Sequence, residues 1–148
     1  MGSIFEGADI VSVYTREDAL EDGVLVAVPT NMARQAGILY PVAMTRAVWD
    51  RYVAVDDAAK DEGQSVNGRL WDVLWMFRSR ARSADGDCVT FSLYVAIPGS
   101  VPMQPNEQPP EAGTGFSKER HRLVELRGIV GPGDDFEPVI TIMLPNED

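Results

Sequence analysis

The sequence predicts a single α+β domain, an antiparallel sheet of three or more strands packed against a few helices. Three observations carry that reading. CVTFSLYVAIP, residues 88–98, alternates apolar and polar positions as a half-buried strand does. RLWDVLWMFRSRARS, residues 69–83, repeats Leu70, Val73, Leu74, Phe77 and Ala81 at helical spacing. HRLVELRGIVGPGDDFEPVITIMLP, residues 121–145, sets two apolar runs around a Gly-Pro-Gly turn. A chain of 148 residues is long enough to bury roughly 70% of its unfolded surface, so neither a disulfide nor a metal is needed to hold it.

Taken in order, TREDALEDG predicts a short helix. Thr15 is the N-cap, Glu17 and Asp18 favour its positive end, and Gly23 stops it. VLVAVP (24–29) is a β-branched run closed by proline, and PTNMARQAG then offers a helix capped at Thr30 and stopped at Gly37. ILYPVAMT reads as extended, because a residue before proline is pushed out of the helical region. Thr45 can cap the helix TRAVWDRYVAV, whose Val48, Trp49, Tyr52 and Val53 suit packing on a sheet. DDAAKDEGQSVNG (56–68) is polar and glycine-punctuated, a connection or frayed helix end. The Pro/Gly-rich stretch at about 98–118 predicts an irregular loop, disordered or a long hairpin excursion. The last run, VITIM, is apolar on both faces and reads as a central strand or one covered by helices.

Composition narrows the function classes. With 13 basic against 23 acidic residues the net charge is -10, which argues against direct binding to a nucleic-acid backbone. No apolar run approaches the ~20 residues that span a bilayer, and the N-terminus lacks a signal-like pattern, so a cytoplasmic address is expected. The lone Cys88 reads as a buried small hydrophobe. The lone His121 reads as a solvent-facing histidine on an edge strand.

The chain carries no P-loop, GxGxxG, CxxC, HExxH or GxSxG, and the sequence assigns no cofactor, no metal and no oligomeric state. Two local features remain as candidate chemistry. Trp71 and Trp75 lie one helical turn apart and continue into Arg78 and Arg82, a core-edge stripe or an aromatic and arginine surface of the kind found at protein interfaces. Asp134 and Asp135, with Glu137, sit where a hard cation or a general base would be sought, yet their Gly-Pro-Gly setting is that of a turn.

The ordered blocks VSVYTREDALEDGVLVAV, AGILYPVAMTRAVWDRYV, NGRLWDVLWMFR and VGPGDDFEPVITIMLPNED resemble an uncharacterised family carried by plasmids, integrative elements and phages of bacteria. The resemblance spans nearly everything but the Pro-rich loop. It implies a setting rather than a mechanism: a mobile-element accessory protein that binds a host macromolecule, a defence or regulatory factor. The blocks coincide with Trp49, Trp71, Asp72, Asp134 and Asp135, and Trp75 and Arg78 join them from the helix stripe as candidate binding positions. The alternative expectation is a small metal-dependent enzyme acting on a nucleotide or other anionic metabolite, with Asp134 and Asp135 on the cation and Arg78 or Arg127 on the anion. A third is an acidic surface that mimics DNA.

Overall fold

The structure is a computed structural model and describes residues 13–147. The chain runs α1 (Arg16–Glu21), β1 (Leu25–Ala27), α2 (Thr30–Gln35), β2 (Val42–Thr45) and α3 (Arg46–Val48), which passes directly into a π-helical turn (Trp49–Val53). It continues with α4 (Asp57–Asp61), α5 (Val66–Ala81), β3 (Cys88–Ala96), β4 (Glu107–Gln108), β5 (His121–Pro132) and β6 (Pro138–Met143). The strands form one six-stranded, mostly antiparallel sheet in the order β1-β2-β6-β5-β3, with the short β4 also pairing β5. The exception to antiparallel order is β2 against β6, where Val42, Ala43 and Met44 run parallel to Ile140, Thr141 and Ile142.

Local sequence accounts for most boundaries. Thr15 and Asp18 form a reciprocal capping box at α1, and Asp56 and Ser65 cap α4 and α5 through bonds to Ala59 and Gly68. Thr30 is the first residue of α2 rather than its cap; Pro29 takes the cap position without a side-chain bond, using a fixed φ that suits a helix entry. Gly23, Gly37 and Gly63 stop their helices at φ of +77°, +88° and +87°.

The helix expected over TRAVWDRYVAV is instead one turn of α-helix followed by the π turn, in which the Ala54 amide donates to the Trp49 carbonyl at 2.8 Å. This wider turn buries Val48, Tyr52 and Val53 completely while turning Arg51 toward the Pro-rich loop. That loop is ordered by side chains. It carries β4, and it returns the chain from β3 to β5 as a hairpin excursion.

The core lies between the sheet and α5. Leu70, Val73, Leu74 and Phe77 of α5 meet Val89, Phe91, Leu93 and Val95 of β3, with Val124, Leu126, Ile140 and Ile142 behind them. Phe77 packs edge-on against Phe91 at 5.7 Å and lies directly over Gly128 of β5. An added Cβ at Gly128 would clash with the Cδ1–Cε1 edge of the Phe77 ring, so Gly128→Ala is expected to cost about 1–3 kcal/mol of stability in urea denaturation, the usual penalty of an overpacked core.

Two local expectations are corrected. Cys88 is exposed, because it shares the parity of Thr90 and Ser92 rather than that of buried Val89 and Phe91. His121 is half-buried, because it pairs with Ala96 of β3 and its imidazole packs edge-on against Phe116 at 4.9 Å.

Candidate functional site

The paired aspartates have a structural job at the β5–β6 turn. Both oxygens of Asp134 accept backbone amides at the start of α1, from Arg16 at 2.9 Å and Glu17 at 3.0 Å. The Arg16 guanidinium then reaches Thr141 Oγ1 at 2.7 Å and the Ile140 carbonyl at 2.9 Å, which fastens α1 to β6. Asp135 is exposed at the turn beside Phe136. Neither arginine paired with these aspartates on sequence grounds approaches them. Arg78 lies against Gly37, where an added Cβ would sit 2.7 Å from its Nε, and Arg127 donates to Met143 Sδ at 3.2 Å and to the Glu147 carbonyl. Among the described residues no three His, Cys, Asp or Glu side chains come together as a metal-ligand set. Trp49 packs against the edge of the core.

The polar centre that sequence reasoning missed is Glu107. Its side chain is fully buried and accepts from Arg51 Nε at 2.5 Å, Arg51 Nη2 at 2.9 Å, Arg122 Nη1 at 3.0 Å, the Tyr52 hydroxyl at 2.5 Å and the Gln104 amide at 3.1 Å. Burial alone would raise the Glu107 carboxyl, but the hydrogen bonds from Arg51, Tyr52, the Gln104 backbone and Arg122 outweigh it and hold the group at about 2. Burial, and then the bond donated to Glu107, push the Tyr52 hydroxyl well above its ordinary value. Asn106 donates to the Tyr52 oxygen and to the Glu125 carbonyl, both at 3.0 Å. Arg51 and Arg122 also bind the carbonyl of Pro102, so the cluster bolts the loop to the sheet.

Concave surfaces lie elsewhere, among them a hollow of about 520 Å³ against the Pro-rich loop, lined by Pro98, Met103, Lys118 and Arg122. A cleft of about 480 Å³ between the π turn, α4 and the end of β3 mixes Arg51, Arg69 and Arg120 with Asp50, Asp56 and Glu119. Its central cation is a brace: Arg69 donates to the Ala54 carbonyl at 3.2 Å and the Ala96 carbonyl at 2.7 Å.

A further one is a groove of about 380 Å³ between α5 and the outer edge of β3. Asp72, Trp75 and Met76 form its helix side, and Ser92, Tyr94 and Phe116 its strand side. Here the structure brings together candidate residues from the sequence. Trp75 is 47% exposed and stacks one face on the half-buried Trp71 at 5.8 Å. Tyr94 stacks on Phe116 at 4.1 Å. Packing around Asp72 raises its carboxyl above the ordinary range.

Beside this groove β3 is a bare edge. The Ile97 amide donates to Arg120 and the Val130 amide to Asp87, which fixes the phase of the β3–β5 ladder. By the two-residue alternation of an antiparallel pair, the amides and carbonyls of Cys88, Thr90, Ser92, Tyr94 and Ala96 therefore point away from β5. Among the described residues, the Ala96 carbonyl alone of these has a partner, Arg69. No proline, lysine or bulge blunts this nine-residue edge, although such devices are the usual protection against strand addition.

The sequence model of DUF6573, described as a family of unknown function, matches residues 1–148. No curated protein and no solved structure matches the chain.

Proposed function

For a chain that belongs to DUF6573, a family of unknown function, we propose a role in protein binding in which an extended segment of a partner adds to the open edge of β3. The observation that carries this reading is the coincidence of unpaired outward backbone groups with the aromatic groove running beside them. Strand addition of this kind draws affinity from main-chain hydrogen bonds and specificity from pockets for alternate side chains. Here Thr90, Ser92 and Tyr94 supply the bonds, and the Trp75 side of α5 supplies the pocket wall. In this reading the chain is an accessory protein of a mobile element, acting in the bacterial cytoplasm, and its partner is a host defence or regulatory protein. The net charge of -10 favours a basic partner and opposes direct nucleic-acid binding.

Ser92→Pro is the direct test. It removes an amide that points away from β5, so the ladder to β5 keeps its bonds. Peptides selected on the full chain from a displayed random library are expected to lose at least tenfold in affinity for this variant while its melting transition stays cooperative. Binding should also slow hydrogen exchange at Ser92 and Tyr94 of the wild type. Equal affinity for wild type and Ser92→Pro, or no change in exchange along β3, would overturn the reading.

A further inference from the structure

Resting on that reading, we propose that the groove holds a cationic side chain of the bound segment, a lysine, a methylated lysine or an arginine. Trp75 and the Tyr94–Phe116 pair supply ring faces and Asp72 the counter-charge.

The chemistry of the lining selects this class of ligand. Trp75 has one face on Trp71 and is 47% exposed, while Phe116 is 41% exposed on the opposite wall. Aromatic faces disposed around a space attract an ammonium or guanidinium group through the ring quadrupole, the more strongly the more the site is desolvated. An apolar side chain would gain from the same rings, so the rings alone do not decide between them. Asp72 does. It is the one carboxylate in a groove lining that holds His121 but no lysine or arginine, and among the described residues it has neither an ion-pair nor a hydrogen-bond partner. A carboxylate set among aromatic and aliphatic groups loses hydration, and a bound cation is what restores the balance. The buried acid Glu107, by contrast, has its cations built in from Arg51 and Arg122. The mixed cleft likewise carries three arginines of its own. The groove at α5 supplies Asp72 with no lysine or arginine, so a cation held there comes from the bound segment.

Two measurements separate this inference from the docking reading beneath it. Tetramethylammonium chloride, titrated against sodium chloride at equal ionic strength, is expected to change the tryptophan fluorescence of the wild type along a saturating curve. The change should vanish in Trp75→Ala and weaken about tenfold in Asp72→Asn, a substitution on an exposed position that keeps the fold. Peptides selected from the random library should be enriched in lysine or arginine at one position, and replacing that residue by norleucine should cost tenfold or more. Selected peptides that tolerate norleucine, with no effect of Asp72→Asn, would overturn the cationic pocket and leave strand docking standing. A saturating ammonium curve with no selectable peptide would do the reverse. Absence of both would remove both.

Discussion

Glu107→Ala is expected to cost about 3–5 kcal/mol of folding stability, the range found when one partner of a buried charge network is removed. For a domain of this size that corresponds to a fall of roughly 10 °C or more in melting temperature. The reason is the geometry left behind. Arg122 is 2% exposed, and without Glu107 its guanidinium keeps its bonds to loop carbonyls but loses the anion that offsets its desolvation. The Tyr52 hydroxyl, on a residue with no exposed surface, loses its acceptor, and Arg51 loses its bidentate pairing. Since total stabilities lie at about 5–15 kcal/mol, the loss is a large share of the whole. Removing both charges at once should be milder. An Arg122→Met/Glu107→Leu pair is expected to recover part of the loss, because only Arg51, a quarter of whose side chain is exposed, is then left without its anion. Urea denaturation of the single and paired variants, with hydrogen exchange across residues 98–108, would test both points. If the paired variant is as unstable as the sum of the singles, the account of Glu107 as a charge anchor is wrong.

Glu107 also shows what the residue pattern could and could not reveal. Strands and the long helix were legible because burial on one face imposes a period, and Val89, Phe91, Leu93 and Val95 display it without interruption. The same parity places Cys88 on the exposed face, so that error was avoidable from the alternation itself. The parallel pairing of β2 with β6 was not legible, since it joins segments about a hundred residues apart and no local spacing encodes it. The π turn was hidden because one extra residue per turn leaves the apolar pattern of Val48, Tyr52 and Val53 nearly unchanged. In the Pro-rich stretch the turn residues speak only of local backbone, whereas the bonds that tie it to the sheet come from a carboxylate in NEQ that reads as one more surface acid. A buried salt bridge between residues 51, 107 and 122 has no sequence spacing to announce it. At the groove, the helix placed Trp71, Asp72 and Trp75 on neighbouring faces, but the facing Tyr94, Phe116 and the bare β3 edge emerge only from the sheet order.

The same carboxylate sets an expected acid limit on stability. Its folded value of about 2 lies below the ordinary 4.5 that it regains on unfolding. Above pH 4.5 both states are ionised, and the folded state keeps the full benefit of the charged network. As pH falls from 4.5 toward 2 the unfolded chain binds a proton that the folded chain refuses, so the benefit drains away and is gone below about 2. The shift corresponds to about 3 kcal/mol. Asp72 acts in the opposite sense: its raised carboxyl takes up a proton first in the folded state, so acidification through its range adds a small stabilisation. Tyr52 sets the alkaline side, since its folded hydroxyl resists ionisation beyond the ordinary 10 and stability should decline as pH rises past that point. Urea midpoints measured from pH 6 to pH 2 should therefore fall steeply for the wild type. Glu107→Gln, which starts lower because its buried arginines lack an anion, should show a slope flatter by about 3 kcal/mol over that window. Parallel curves for the two proteins would show that other carboxylates carry the acid transition and that Glu107 is not held ionised by Arg51, Tyr52 and Arg122.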